Sequence, residues 1–480
     1  MNKELKKINN EKGITLVALV VTIVVLLILT GITVNMTVGD NGLLTMAKNI
    51  KENIEKAEEE GQKQVDAVKN SEYLEDGAVA KNDSVAPTIN SIDVIKLSDT
   101  SFKVKVNATE IGSGIAKVEY SIDGGKSYVT PNYVKDTSYV FSNLEGNFEK
   151  YNIKVRVTDA SGNTSDSSQQ YQMITEKLIP SGFYYVGGSK YSGVVISDNS
   201  SDKEKYYGKD VVGTDLQGNQ FVWVPVATIA DYKRTVYSTN ISTEETDTAT
   251  NSIKINYSSS SSSYFIEALP EDEKTSVTTY KGFYIGRYEA GDKDSTEEST
   301  PALRKENSST GNKISIKAGQ APYNYVTRTQ AQSLAEGFKT QQNYSSTIKT
   351  KLVSSYAWDT TIAFIQKVNS NYGNSLKEGN YYNTTFSYTD ITGASQTKAS
   401  GSSVLVPTGQ TTPVCNIYDM GGNVWEYTTE FCSNVEYPAT KRGGKYEFDI
   451  DDDADSPAGY RNNGSGNAYE TIGFRIALFM

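Results

Sequence analysis

The side chains able to do chemistry in this chain are defined first by what is missing. None of the 480 residues is histidine. That removes the commonest general base near neutral pH, the Ser-His-Asp arrangement and the usual zinc ligand. Two cysteines, Cys415 and Cys432, are too few for a multi-thiolate metal centre. Outside a cell they could pair as a disulfide, or they could remain two buried thiols. What is left is an acidic and aromatic concentration near the C-terminus. Glu447, Asp449, Asp451, Asp452, Asp453 and Asp455 crowd one short segment, where calcium or a cationic ligand could sit. The spacing is not that of an EF-hand loop, because the sixth position from Asp449 is Ala454 rather than glycine and the twelfth is Tyr460 rather than glutamate. A solvated acidic loop is the plainer account. Tyr446, Phe448, Tyr460, Asn462, Asn463 and Tyr469 share the region, and aromatic and asparagine side chains on loops over a rigid scaffold suit recognition. The candidate ligand-binding loop is therefore Tyr446, Phe448, Asp449, Asp451, Asp453, Tyr460, Asn462, Asn463 and Tyr469.

These residues must be held by the segment from Gly182 to Met480, which is rich in Tyr, Gly, Asn and Ser. Its periodicity predicts two short helices, over Gln330 to Phe338 and Trp358 to Val368. Residues 238–276, with the serine run 258–263, read as a low-complexity, flexible surface insertion. Ordered motifs run through the rest: Phe221-Val222-Trp223-Val224-Pro225, then Gly282-Phe283-Tyr284-Ile285-Gly286-Arg287-Tyr288-Glu289. Gly422-Asn423-Val424-Trp425-Glu426-Tyr427-Thr428, Arg442-Gly443-Gly444 and Gly473-Phe474-Arg475 follow. Together they resemble the formylglycine-generating enzyme (sulfatase-modifying factor) domain, a variant of the C-type lectin fold. The resemblance implies copper-dependent oxidation of a substrate cysteine by a cysteine pair placed shortly after the motif matched by Arg442-Gly443-Gly444. The segment Lys445 to Arg461 contains no cysteine, and Cys415 and Cys432 lie upstream of it. A thiolate is what binds soft Cu(I), so the expectation is a domain without catalysis. The same resemblance implies a structural calcium turn, with ligands from the Asp419 side chain, the Gly422 and Val424 carbonyls and the Glu426 carboxylate. Against this stands the reading of these residues as turn and cap groups around a buried Trp425.

Towards the N-terminus the pattern changes twice. Ile89, Ile92 and Val94, then Phe102, Val104 and Val106, alternate with polar residues as half-buried strands do. Val118 to Ile122 with Asp123-Gly124-Gly125 reads as a strand and hairpin turn, and Tyr151 to Asp159 as another strand. Short strands at these intervals predict a β-sandwich over 86–175. Its closing stretch, Val155 to Asn163, resembles bacterial surface immunoglobulin-like domains, usually spacers. Residues 71–85 read as a linker, and 35–70 as an amphipathic helical stalk after the break at Gly39 to Gly42.

The first residues, 1–13, carry Lys3, Lys6, Lys7 and Lys12 and precede an uncharged apolar run from Ile14 to Val34. As a helix that run would span ~31 Å, which suits a bilayer and would place the remainder outside the cell. Lys12-Gly13-Ile14-Thr15-Leu16 resembles the start of type IV pilins and pseudopilins. The resemblance implies cleavage between Gly13 and Ile14 by a prepilin peptidase and partnership with pilin-like subunits. The family's glutamate is replaced here by Ala18. The expected fold class is thus multidomain α+β: a transmembrane or pilin-like helix, an immunoglobulin-like sandwich and a C-type-lectin-like domain over 182–480. The expected function is that of a surface-anchored or pilus-associated binding protein taking a protein or glycan ligand. The alternatives are an extracytoplasmic enzyme of the formylglycine-generating type and a structural minor pilin. A net charge of −11 argues against nucleic acid as a partner.

Overall fold

The structure is a computed structural model that describes residues 83–131, 138–213, 215–237, 243–258, 261–292, 314–374, 378–447 and 456–480. Alternation organises the first domain. β1 (Thr88–Ser98) and β2 (Ser101–Thr109) pair antiparallel, and β4 (Ser138–Phe141) extends that sheet along β2. β3 (Ile115–Ser121), β5 (Lys150–Asp159) and β6 (Thr164–Gln172) make a second sheet. Every second residue of β2 (Phe102, Val104, Val106) and of β5 (Tyr151, Ile153, Val155, Val157) enters one shared core, so the two sheets form a sandwich. The turn after β3 is set by Asp123, whose carboxylate accepts the N–H groups of Lys126 (2.9 Å) and Ser127 (3.0 Å). Gly124 and Gly125 supply the positive φ the turn requires.

The second domain is built on two larger sheets. The six-stranded one runs in the order β17 (Lys349–Leu352), β24 (Ile476–Phe479), β13 (Gly282–Gly286), β9 (Gln220–Pro225), β8 (Val194–Ser197), β7 (Tyr184–Gly187). Its central strands read as continuous apolar runs because both faces are covered. Val222, Val224, Phe283, Ile285, Ala477 and Phe479 face one core. Their neighbours Phe221, Trp223, Tyr284, Ile476 and Leu478 face the other. α3 (Ser355–Ile365) packs Ala357, Trp358, Ile362 and Ile365 into the first core, joined there by Val277 of α1 (Glu271–Tyr280). α2 (Arg328–Gln341) packs Ala331, Ala335 and Phe338 into the second. α2 starts where Thr327 and Gln330 exchange hydrogen bonds in a capping box, and α3 where the Ser354 hydroxyl accepts the N–H of Ala357 (3.1 Å).

The seven-stranded sheet runs β10 (Thr243–Asp247), β11 (Ser252–Ser258), β12 (Ser261–Ile266), β20 (Trp425–Cys432), β21 (Ala439–Arg442), β22 (Arg461–Gly464), with β23 (Ile472–Phe474) parallel to β20. β14 (Gly291–Asp292), β15 (Ile314–Ser315) and β16 (Ala321–Pro322) form a small sheet, and β18 (Phe386–Thr389) with β19 (Ser395–Lys398) a hairpin. The sandwich is docked on this head rather than strung from it. Phe148 stacks on Tyr185 with ring centroids 6.1 Å apart, the Tyr207 hydroxyl donates to the Gln172 carbonyl (2.7 Å), and Lys190 bridges Glu145 and Glu149.

Three expectations are corrected. The α+β class with a membrane-spanning N-terminal helix gives way to a predominantly β structure with three α-helices among the described residues. None of these is long and apolar enough to cross a membrane, since each is a short helix with one face in the head's core. An N-terminally membrane-anchored location is therefore not supported. The 14–34 run, the 35–70 stalk and the Gly13–Ile14 junction lie outside the described residues. Finally, the 238–276 stretch is no loose insertion where it is described. β10, β11 and β12 extend the head's sheet from β20, with Ile253, Ile255 and Phe265 packed around Cys432.

Candidate functional site

The turn from Asp419 to Glu426 carries several buried polar side chains, Asp419, Asn423 and Glu426 among them. Asp419, Gly422 and Asn423 all take left-handed backbone angles (φ 55°, 74° and 59°), which glycine, asparagine and aspartate tolerate best. Asn423 uses both ends of its amide. Its oxygen accepts from the Asn380 side chain (2.9 Å) and the Val406 N–H (3.1 Å), while its nitrogen donates to the Val406 carbonyl (3.1 Å) and to the Glu289 carboxyl. Glu289 is fully buried and its second oxygen has no partner. Burial, and then the charges of Asp419 and Glu426, push its pKa well above the usual carboxylate range, which favours the neutral acid.

The four-residue set expected for calcium does not fit that ion. Both oxygens of Glu426 accept from the Arg475 guanidinium, at 2.7 Å from Nη2 and 3.0 Å from Nε. The same guanidinium donates to the carbonyls of Tyr418 (3.0 Å), Asp419 (2.9 Å) and Gly286 (2.9 Å). Asp419 in turn accepts the Gly409 N–H (2.7 Å) and the Thr411 hydroxyl (2.7 Å). A cation already stands beside these carboxylates, and it is an arginine. The turn-and-cap reading fits this arrangement.

The segment Lys445 to Arg461, where the resembled enzymes keep their thiols, ends in a sealed ion network. Asp359 on α3 receives Arg442 on one oxygen and Arg461 on the other, both at 2.6 Å. Arg461 also holds Glu430 (2.8 Å) and Glu244 (2.5 Å), and all five of these side chains are closed to solvent. Arg442 reaches the carbonyls of Gly459 (3.0 Å) and Tyr460 (3.2 Å). Asp359 also accepts the Thr235 N–H (2.9 Å), on the oxygen that Arg461 holds, so both of its oxygens are engaged within the chain. Sequence reasoning did not find this network. Its one local signal is Asp359 itself, a carboxylate inside the most apolar α-helix among the described residues.

The candidate binding loop divides. Phe448, Asp449, Asp451 and Asp453 lie outside the described residues. Tyr446 and Tyr460 are corrected to core residues, the first packed on Leu405 and Val424, the second on Trp425 and Ile472. Asn462 and Asn463 are half-exposed on β22, the edge strand of the seven-stranded sheet, and Tyr469 is 48% exposed. Of the two readings of Cys415 and Cys432, the possible disulfide is corrected. Both are free, buried thiols in separate cores, since β20 carries Cys432 away from the turn at ~3.3 Å per residue. Burial pushes the Cys415 thiol up to about 12, which keeps it protonated and unreactive.

No curated protein matches the chain. Among solved structures, the PKD1 domain of Vibrio anguillarum Epp is 14% identical over 19% of this chain and 99% of that one, with a TM-score of 0.16. The PKD1 domain of the Vibrio cholerae metalloprotease PrtV is 16% identical over 19% of this chain and 100% of that one, also at 0.16. Scores so low carry no argument about this chain. Residues 81–192 match a family described as a domain of unknown function (DUF7743). Residues 275–479, which hold Glu289, Asn423, the Arg475 pair and all of the Asp359 network except Glu244, match the Sulfatase-modifying factor enzyme 1-like domain, and the head carries a domain of that kind.

Proposed function

We propose that the chain is a ligand-binding protein, adhesin-like or receptor-like, whose sulfatase-modifying-factor-like head serves as a recognition scaffold and not as an oxidase. The observation that supports this is the content of Lys445 to Arg461. The segment has no cysteine, and Arg461 at its end, together with Arg442 just before it, is closed onto Asp359 instead of framing an open position. Copper oxidation of a thiol needs a thiolate pair to hold Cu(I), and neither Cys415 nor Cys432 is accessible or near its partner. The surface offered to a ligand is the β22 edge with Asn462 and Asn463, and with it the exposed Tyr469 ahead of β23. Edge-strand amides and a tyrosine give adaptable polar contacts and one amphipathic anchor, which suits a protein or glycan partner.

A screen of the full chain against glycan and protein arrays tests this. A hit should weaken at least tenfold in Asn462→Ala/Asn463→Ala/Tyr469→Ala while stability stays within about 0.5 kcal/mol, as is usual for surface changes. A hit that ignores these residues would move the site elsewhere. The match over 275–479 favours a second reading, a copper-dependent enzyme acting on cysteine peptides. Formation of an aldehyde product from such a peptide by the copper-loaded protein would establish that reading instead.

A further inference from the structure

We propose that Asp83, Glu110 and Asp159, at one pole of the β-sandwich, bind a calcium ion. They come from three separate places: the segment entering β1, the residue after β2 and the last residue of β5. One carboxylate oxygen from each lies within 4.8 Å of the others. Two of the three acids are held in place by donors that leave lone pairs unused. Asp83 accepts the N–H groups of Val85 (2.9 Å) and Ser113 (3.1 Å), and Asp159 accepts the N–H (2.8 Å) and the side-chain amide (2.8 Å) of Asn163. That amide also donates to the Asp83 carbonyl (2.9 Å), tying two of the segments together.

Glu110 is the odd member. Both its carboxylate oxygens are shut off from solvent, and neither has a hydrogen-bond partner. Among the described residues no lysine or arginine forms an ion pair with any of the three acids. Buried carboxylate oxygens without donors are rare and costly, and here they point at two further carboxylates. The backbone is built to allow this approach. Gly112 sits at φ +144°, and a Cβ there would come within 2.6 Å of an Asp83 carboxylate oxygen, so the turn after Glu110 closes directly on Asp83. A cation supplies what all three lack. The donors are all hard oxygens from carboxylates, which selects calcium over softer metals. Bound there, it would fasten the entering segment to the ends of β2 and β5.

The test is calorimetric titration of calcium and of magnesium into the full chain after treatment with EGTA, repeated with Glu110→Gln and Asp83→Asn. One calcium site is expected, tenfold or more weaker in either variant and weaker still for magnesium. Thermal unfolding supplies a sign that a purely structural glutamate would not give. In EGTA, Glu110→Gln should melt at or above the wild type, because an unpartnered charge has been removed. In excess calcium it should melt below the wild type. The proposal is overturned by wild-type protein that takes up no calcium, by uptake unchanged in both variants, by magnesium binding as tightly as calcium, or by Glu110→Gln melting lower in EGTA.

Discussion

Two acidic clusters in this molecule look alike in composition and differ in what surrounds them. In the head, Asp419 and Glu426 are met by Arg475, Thr411 and the Gly409 N–H, and burial pushes the Glu289 carboxyl well above the usual range. In the sandwich, Asp83, Glu110 and Asp159 converge with no cationic side chain paired to them and no donor on Glu110 among the described residues. The head has its counter-charge built into the chain, whereas the sandwich must take one from solution. Carboxylate number is therefore a poor guide to metal binding. The useful quantity is how many oxygens remain without a donor once the fold has closed.

That contrast can be broken most forcefully in the head. Arg475→Met leaves Glu426 buried without a partner and should cost about 3–5 kcal/mol in chemical denaturation. A cost below ~1 kcal/mol would show that Arg475 is not the counter-charge of the turn. Next in size, Trp358→Ala removes a fully buried side chain beside Asp359, with its indole N–H bond to the Ala458 carbonyl, for about 3–5 kcal/mol. Addition of calcium should raise the unfolding transition that includes the sandwich, and Glu110→Gln should abolish that rise. A rise retained in Glu110→Gln would place the ion elsewhere.

A subtler difference is in pH. Burial, reinforced by the charge of Glu430, pushes the Glu267 carboxyl up to about 8 from an ordinary 4.5. The folded chain then binds a proton that the unfolded chain has released, so this contribution to stability is complete below pH ~4.5 and is lost as pH rises through 8. Glu267→Gln should flatten the decline in melting temperature across that window. An unchanged slope would mean that Glu267 is ionised in the fold. The smallest effect is Tyr469→Ala, within about 0.5 kcal/mol in stability despite its expected effect on binding.

The fold was legible where a residue's type determines its surroundings. Phe221 to Pro225 and Gly282 to Gly286 are apolar on both faces and became the central strands β9 and β13. Thr327 with Gln330 and Ser354 with Ala357 marked helix starts close to those read from periodicity. The strands of 243–266 were hidden because serine and threonine carry little apolar signal, and because their partner strand β20 lies far along the chain. Tyr446 and Tyr460 misled because tyrosine serves equally in a core and in a binding loop. Neither the Asp83, Glu110, Asp159 cluster nor the Asp359 network has a local pattern. Each exists only after distant segments meet.

The distances along the chain within the Asp359 network have a kinetic consequence. Asp359 waits for Arg442, 83 residues on, and for Arg461, 102 residues on, while Arg461 must also find Glu244, 217 residues back. Loops of that length close late and slowly. Until every partner has arrived, any collapsed intermediate would enclose an unmatched charge, which is strongly unfavourable. The head should therefore populate few half-built forms, and β10, though serine- and threonine-rich in its surroundings, is tied through Glu244 to the closing of the last strands.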